Sequence, residues 1–158
     1  MNTEIERKFI VSDGGWREEV SRAEQMRQGY FARADDSTVR VRLVDGSGVL
    51  TIKGPTYGIT RAEYEYDIPA QDAREMLDIF CEGRQLEKTR FHLEHGDFMW
   101  VVDEFSGDNE GLTLAEIELE RPDQPFDVPD WVDEEVSRDE RYTNGYLASH
   151  PYSTWDDE

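Results

Sequence analysis

Polar and apolar residues alternate with a period of two along most of this chain. In "TEIERKFIV" (3–11), Ile5 and Phe9 share one face while Glu4, Glu6 and Lys8 share the other, which predicts a strand. "STVRVRLV" (37–44) sets Arg40 and Arg42 against Val39, Val41 and Leu43. The turn "DGSG" (45–48) leads into "VLTIKG" (49–54), and its Asp-Gly predicts a hairpin. "TRAEYEYDI" (60–68) groups Arg61, Glu63 and Glu65, and 85–105 predicts a second hairpin turning at His95-Gly96-Asp97. That hairpin carries Lys88 and Arg90 on one strand and Asp103 on the other. "LTLAEIELE" (112–120) places Glu116, Glu118 and Glu120 opposite Ile117 and Leu119.

Elsewhere the alternation breaks. "GGWREEVSRAEQMRQG" (14–29) predicts a helix, and so does "AQDAREMLDIFCEG" (70–83), with Met76, Leu77, Ile79 and Phe80 as its apolar side and Gly83 as its stop. A short helix is predicted near 143–149, and 151–158 reads as a flexible tail. "KGPTYG" (53–58) lacks the spacing and strand-to-helix context of a phosphate-binding loop and predicts a turn. About eight strands, mostly in hairpins, predict a mainly β, α+β fold. The expected architecture is an eight-stranded antiparallel closed barrel with a few flanking helices, spanning 1–158 as one domain.

Composition narrows the function classes. Lys and Arg total 17 against 37 Asp and Glu, a net charge of −20, and such a surface repels nucleic acid and anionic membranes. No run approaches the ~18 apolar residues of a membrane span, and the N-terminal residues do not have the pattern of a secretory signal. A single cysteine, Cys81, excludes an internal disulfide and sits in an apolar helical register as a small core residue. These features imply a soluble, cytoplasmic protein, acting as a monomer or homodimer. Of the cations only Lys8, Lys53 and Lys88 are lysine; scarce lysine fits either adaptation to high salt or a genomic base bias. His92, His95 and His150 have no metal-ligand spacing, and Trp16, Trp100, Trp131 and Trp155 read as packing residues.

The candidate chemistry lies on the polar faces. Six segments carry strong charges there: Glu4/Glu6/Lys8, Arg40/Arg42, Lys53, Glu63/Glu65, Lys88/Arg90 and Glu116/Glu118. Residues two apart on a strand are roughly 6.6 Å apart and point the same way. Paired carboxylates so placed suit one hard cation, and paired Arg or Lys suit successive phosphates. If all these faces line one barrel, charge buried at that density is costly unless ligands complete it. The complementary ligand is a polyanion with a divalent metal, hence a small-molecule triphosphate.

The ordered set "EIERKF", "QGY" (28–30), "VRVR" (39–42), "TIKG" (51–54), "RAEYE" (61–65), "KTR" (88–90), "VDEF" (102–105), "AEIELE" (115–120) and "EVSRDERYTNGYLA" (135–148) resembles the CYTH family, the triphosphate tunnel metalloenzymes. The resemblance covers nearly the whole chain. It implies a tunnel through an eight-stranded barrel and a metal-dependent triphosphatase, foremost of inorganic tripolyphosphate. Adenylyl cyclase and thiamine triphosphatase are the alternatives, and a non-catalytic polyphosphate or nucleotide binder is a further one. By matching positions it implies Mg²⁺ or Mn²⁺ on Glu4, Glu6, Asp103, Glu116 and Glu118, with Glu63 and Glu65 as a second pair. Phosphates would be held by Lys8, Arg40, Arg42, Lys53, Lys88 and Arg90. A lysine crowded by cations is a candidate general base; Lys88 is that candidate here, with Tyr30 or Lys8 as helpers.

Overall fold

A computed structural model describes residues 2–32 and 36–157. Nine strands form one sheet: β1 (Thr3–Val11), β2 (Val20–Tyr30), β3 (Thr38–Val44), β4 (Ser47–Tyr57), β5 (Thr60–Ile68), β6 (Gln85–His95), β7 (Phe98–Phe105), β8 (Thr113–Glu118) and β9 (Val132–Glu135). Two α-helices, α1 (Ala70–Phe80) and α2 (Asn144–Ser149), and four short 3₁₀ turns accompany them. All strand pairs are antiparallel, in the cyclic order β1-β8-β7-β6-β2-β3-β4-β5, and β5 returns to β1. This is the expected eight-stranded closed barrel. The ninth strand is an addition: β1 gives Thr3–Ile5 to β5, while Phe9 and Val11 pair with β9.

The hairpin turns fall where the sequence places them. Asp45 and Gly46 join β3 to β4 with φ of 49° and 98°, as Asp-Gly turns do. Gly96, with φ 64°, joins β6 to β7.

Four expectations are corrected. Residues 14–29 are not a helix: a 3₁₀ turn at Gly15–Glu19 gives way to β2. Its Arg, Glu, Gln, Ala and Met are good helix formers, but propensity is worth only tenths of a kcal/mol per residue and yields to tertiary pairing. Pairing with β3 along one edge and β6 along the other satisfies its backbone as a strand. Residues 53–58 are not a free turn either, because β4 runs on to Tyr57, with its register shifting between Lys53 and Thr56. On α1 the buried face is Ala73 and Leu77 rather than the whole expected stripe, and Ile79 is 68% exposed. Residues 152–157, expected as a tail, form a 3₁₀ turn in which Trp155 packs edge-on against Tyr142 and Tyr152.

Apolar residues form three clusters. Outward-facing Phe9, Leu93, Trp100, Val102, Ala115 and Ile117 are covered by Trp16, Phe126 and Trp131. Ala73, Leu77 and Cys81 cover Val41 on another flank of the barrel. The third cluster lies inside: Ile10, Leu86, Phe105 and Leu114 occupy the same strand faces as Lys8, Lys88, Asp103 and Glu116, and they pack with Leu147 and Ala148 of α2. The lumen is therefore charged along its middle and shut by an apolar plug at one end.

Candidate active site in the barrel interior

Strand register brings the charged side chains together. Lys8 lies opposite Glu116 and Glu6 opposite Glu118; Arg90 lies opposite Asp103. Arg42 pairs with Gln28 and Arg40 with Tyr30, while Lys53 pairs with Glu63 and Thr51 with Glu65. Alternation then sends all of these into the lumen. They surround a cavity of about 960 Å³, lined by every sequence-predicted site residue except Asp103.

The charges are sorted by sign. The adjoining strands β8, β1 and β5 carry the acids Glu116, Glu118, Glu4, Glu6, Glu63 and Glu65. Strands β4, β3 and β6 carry the bases Lys53, Arg40, Arg42, Lys88 and Arg90. Of the predicted site residues, Lys8 and Asp103 alone cross this division, and each is neutralised where it sits. Lys8 Nζ lies 3.3 Å from Glu116 and donates to the Tyr142 carbonyl at 3.0 Å. Asp103 accepts from Arg90 Nε at 2.8 Å and Nη2 at 2.9 Å, and from Lys88 Nζ at 2.7 Å.

Protonation equilibria follow from this arrangement. Burial alone would raise the Asp103 carboxyl, but Arg90 and Lys88 hold it well below the usual carboxylate range. Glu116 behaves likewise: burial opposes ionisation, and Lys8 and Arg90 outweigh it to leave the group at about 2. The two central lysines diverge. Burial acts against the charge on both, yet Glu116, Glu6 and Asp103 raise Lys8 above the ordinary lysine value. For Lys88, burial together with Arg90 and Arg42 outweighs Asp103 and lowers it well below that value. Arg42 is brought down to about 9 by burial, Arg40 and Arg90. It donates to Gln28 at 2.7 Å and makes no carboxylate pair among the described residues. Arg40 reaches Thr51 at 3.1 Å and Glu65 at 3.4 Å, while its Nε is buried without a partner.

The acidic side has the opposite imbalance. Lys53 bridges Glu4 at 2.8 Å and Glu63 at 3.3 Å. Among the described residues Glu6 has no such partner; burial, Glu116 and Glu4 push its pKa up to about 7. Glu118 is raised by burial, Glu4 and Glu65, and Glu4 by burial and Glu63 against the pull of Lys53. Among the described residues no three acidic, histidine or cysteine side chains form a ready-made metal cage. The donor set nevertheless fits a hard divalent cation: these are oxygen ligands crowded enough to resist ionisation. Mg²⁺ characteristically takes one or two carboxylates and completes its shell with water and phosphate oxygens.

Gln28, Thr51, Arg61 and Asn144 also belong to this interior and were not among the predicted site residues. Arg61 donates to the Gly54 carbonyl and to Thr38 and lies 4.0 Å from Glu4. Thr51 and Arg61 share strand faces with predicted residues, so alternation could have found them. Gln28 is hidden by the helical reading of 14–29, and Asn144 reaches the lumen only through the folding back of α2.

The CYTH domain family model matches residues 2–150. An inorganic triphosphatase of Acetivibrio thermocellus is 44% identical over 155 residues, covering 98% of this chain and 99% of that protein. An inorganic triphosphatase of Nitrosomonas europaea is 39% identical over 154 residues, covering 92% and 97%. A crystal structure of an inorganic triphosphatase superposes with a TM-score of 0.66 at 37% identity, covering 94% of this chain and 96% of that one. A full-length match, together with a barrel whose lumen is divided between acids and bases, makes this chain a member of the CYTH domain family.

Proposed function

We propose that the barrel binds inorganic tripolyphosphate and hydrolyses it to pyrophosphate and phosphate, with Mg²⁺ or Mn²⁺ as cofactor. The observation that carries this reading is the sorting of charge across one cavity, with bases on β3, β4 and β6 and acids on β8, β1 and β5. A linear polyanion matches the first wall and a cation bound to it matches the second. Full-length relatives named inorganic triphosphatases support the choice of substrate.

Arg40, Arg42, Lys53, Lys88 and Arg90 hold the phosphate oxygens, and Lys8, firmly protonated beside Glu116, adds a cation from the opposite wall. Fixing a flexible chain in line for attack is where most phosphoryl-transfer catalysis originates. Glu4, Glu6, Glu116 and Glu118 would hold the metal, with Glu63 and Glu65 as a further pair. A cation there supplies neutralisation of charge on the phosphate oxygens. Asp103, both oxygens of which are taken by Arg90 and Lys88, is assigned to fixing those two cations rather than to metal.

Lys88 is the candidate general base. Its Nζ donates to Asp103 and to Asn144 at 2.7 Å each, and loss of its third proton, favoured by the lowered pKa, would leave a lone pair to accept a proton from water. Water oxygen bonds to the terminal phosphorus, the bridging P–O bond breaks, pyrophosphate leaves with that electron pair, and the water proton passes to Lys88. Tyr30 accepts from Gln28 at 2.9 Å, so its own hydroxyl proton remains available to a phosphate oxygen. The strongly acidic composition supports a small-molecule substrate over nucleic acid or membrane.

The test is incubation of the protein with tripolyphosphate, and separately with ATP, in Mg²⁺, Mn²⁺ or EDTA, resolving phosphate, pyrophosphate and cyclic AMP. Metal-dependent phosphate release from tripolyphosphate, lost in Glu4→Gln, is the expected result. Cyclic AMP and pyrophosphate from ATP, without tripolyphosphate turnover, would replace this assignment with a cyclase.

A further inference from the structure

A chain of amide hydrogen bonds runs behind the cationic wall. Arg42 Nε donates to Gln28 Oε1 at 2.7 Å. Gln28 Nε2 donates to Tyr30 Oη at 2.9 Å and to Asn144 Oδ1 at 3.2 Å. Asn144 Oδ1 also accepts from Lys88 Nζ at 2.7 Å. Gln28 is 0% exposed and links residues from β3, β2, α2 and β6.

The polarity of this chain is forced. A guanidinium can only donate, so the amide oxygen of Gln28 must face Arg42 and its nitrogen must face Asn144. Asn144 must then present its oxygen to Gln28, and that same oxygen receives Lys88. No alternative amide orientation satisfies every partner, and a buried amide left unmatched is costly. Asn144 is the first residue of α2, whose start is capped by Thr143 accepting from the Tyr146 N–H at 3.2 Å. The position of α2 at the plugged end of the barrel therefore fixes where Asn144 stands.

We infer that Gln28 and Asn144 act as one positioning unit that sets the geometry of Arg42 and Lys88, coupling the placement of the α2 plug to the phosphate-binding wall. This rests on the tripolyphosphate reading above: the activity assay needs its hydrolysis, the binding assay only its binding. Neither residue reacts. Each aims a cation whose long side chain would otherwise sample several rotamers.

The experiment compares Gln28→Leu, Asn144→Leu, the double variant and Asn144→Asp, measuring kcat and KM for tripolyphosphate with Mg²⁺, calorimetric tripolyphosphate affinity, and melting temperature. Misplaced catalytic groups cost on the order of tenfold to a hundredfold. Gln28→Leu is expected to act mainly on affinity and KM through Arg42, and Asn144→Leu mainly on kcat through Lys88. Because the two amides are bonded to each other, each single variant should also disturb the other parameter in part, and in the double variant neither kcat nor KM should change by more than about its larger single-variant change. Asn144→Asp keeps the oxygen that both donors use, but its charge would raise Lys88, so most of the lost kcat should return only at more alkaline pH. Losses that simply multiply, or that follow melting temperature with no kcat–KM split and no rescue by Asp, would overturn the inference. If the wild type binds tripolyphosphate without cleaving it, the hydrolase reading fails while the affinity comparison still decides the role of Gln28. If the wild type does not bind it, both fall.

Discussion

Replacing Glu6 with Gln should stabilise the metal-free protein while removing its metal-dependent function. Glu6 stands among Glu4, Glu116 and Glu118, and its pKa rises from 4.5 in the unfolded reference to about 7. A carboxyl raised on folding adds stability below its unfolded value and loses it as pH climbs through the folded one. Between pH 4.5 and 7 the folded protein holds a proton that the unfolded chain has released, so stability falls across that window as pH rises. At pH 8 the ionised Glu6 costs about 3 kcal/mol, and at pH 5 less than about 1 kcal/mol, taking roughly 1.4 kcal/mol for each pKa unit. Gln has no charge to confine, so Glu6→Gln should exceed the wild type by up to about 3 kcal/mol at pH 8. For a chain of this size that is roughly 6–12 °C in melting temperature. The assay is thermal unfolding in EDTA at both pH values, then with Mg²⁺. The wild type should gain more from Mg²⁺ than the variant does, since the cation relieves the same repulsion. A Glu6→Gln protein that melts at or below the wild-type temperature at pH 8 would refute the picture of uncompensated acids on β8, β1 and β5.

Other substitutions test separate parts of the structure. Lys88→Ala should abolish turnover, whereas Lys88→Arg should keep tripolyphosphate affinity within about tenfold yet lose the basic ionisation from the pH–rate profile; an unchanged profile would remove Lys88 as the base. Arg42→Lys should raise KM about tenfold or more, because an ammonium cannot reproduce the guanidinium fork, and steady-state kinetics would show it. Gly29→Ala would put a Cβ 2.7 Å from Cys81 Cβ and 2.9 Å from Leu77 Cδ2. Overpacking of that kind costs about 1–3 kcal/mol, measurable by urea unfolding, with the C-terminal turn of α1 displaced from β2.

Period-two alternation was enough to place seven of the nine strands, because a residue's face on a strand is fixed by backbone geometry alone. Glu4, Glu6 and Lys8 had to share a face, as did Arg40 and Arg42, wherever the strands went. Alternation fails where neighbours outvote local propensity. Residues 20–30 carry helix-forming side chains yet lie between β3 and β6, whose open backbone edges only a strand can satisfy. The four-residue β9 is too short to announce itself and exists because β1 has a free edge beyond its contact with β5.

The inventory of interior charge could likewise be read from the sequence, but its arrangement could not. Nothing in the order of residues says that β5, β1 and β8 lie side by side and gather the acids, since these strands come from the start, the middle and the later part of the chain and meet only on closure of the barrel. Lys8 and Lys88 look alike in sequence. The tertiary structure sets Lys8 against Glu116 and Lys88 deep beside Arg90 and Arg42, and so drives their proton affinities in opposite directions. Asn144 lies in a segment that the family resemblance includes, but its place in the site could not be read, because it comes from a helix folded back over the barrel's end. Local chemistry determined which groups face inward, and long-range closure, through desolvation and the sign of the nearest charge, decided what each group can do there.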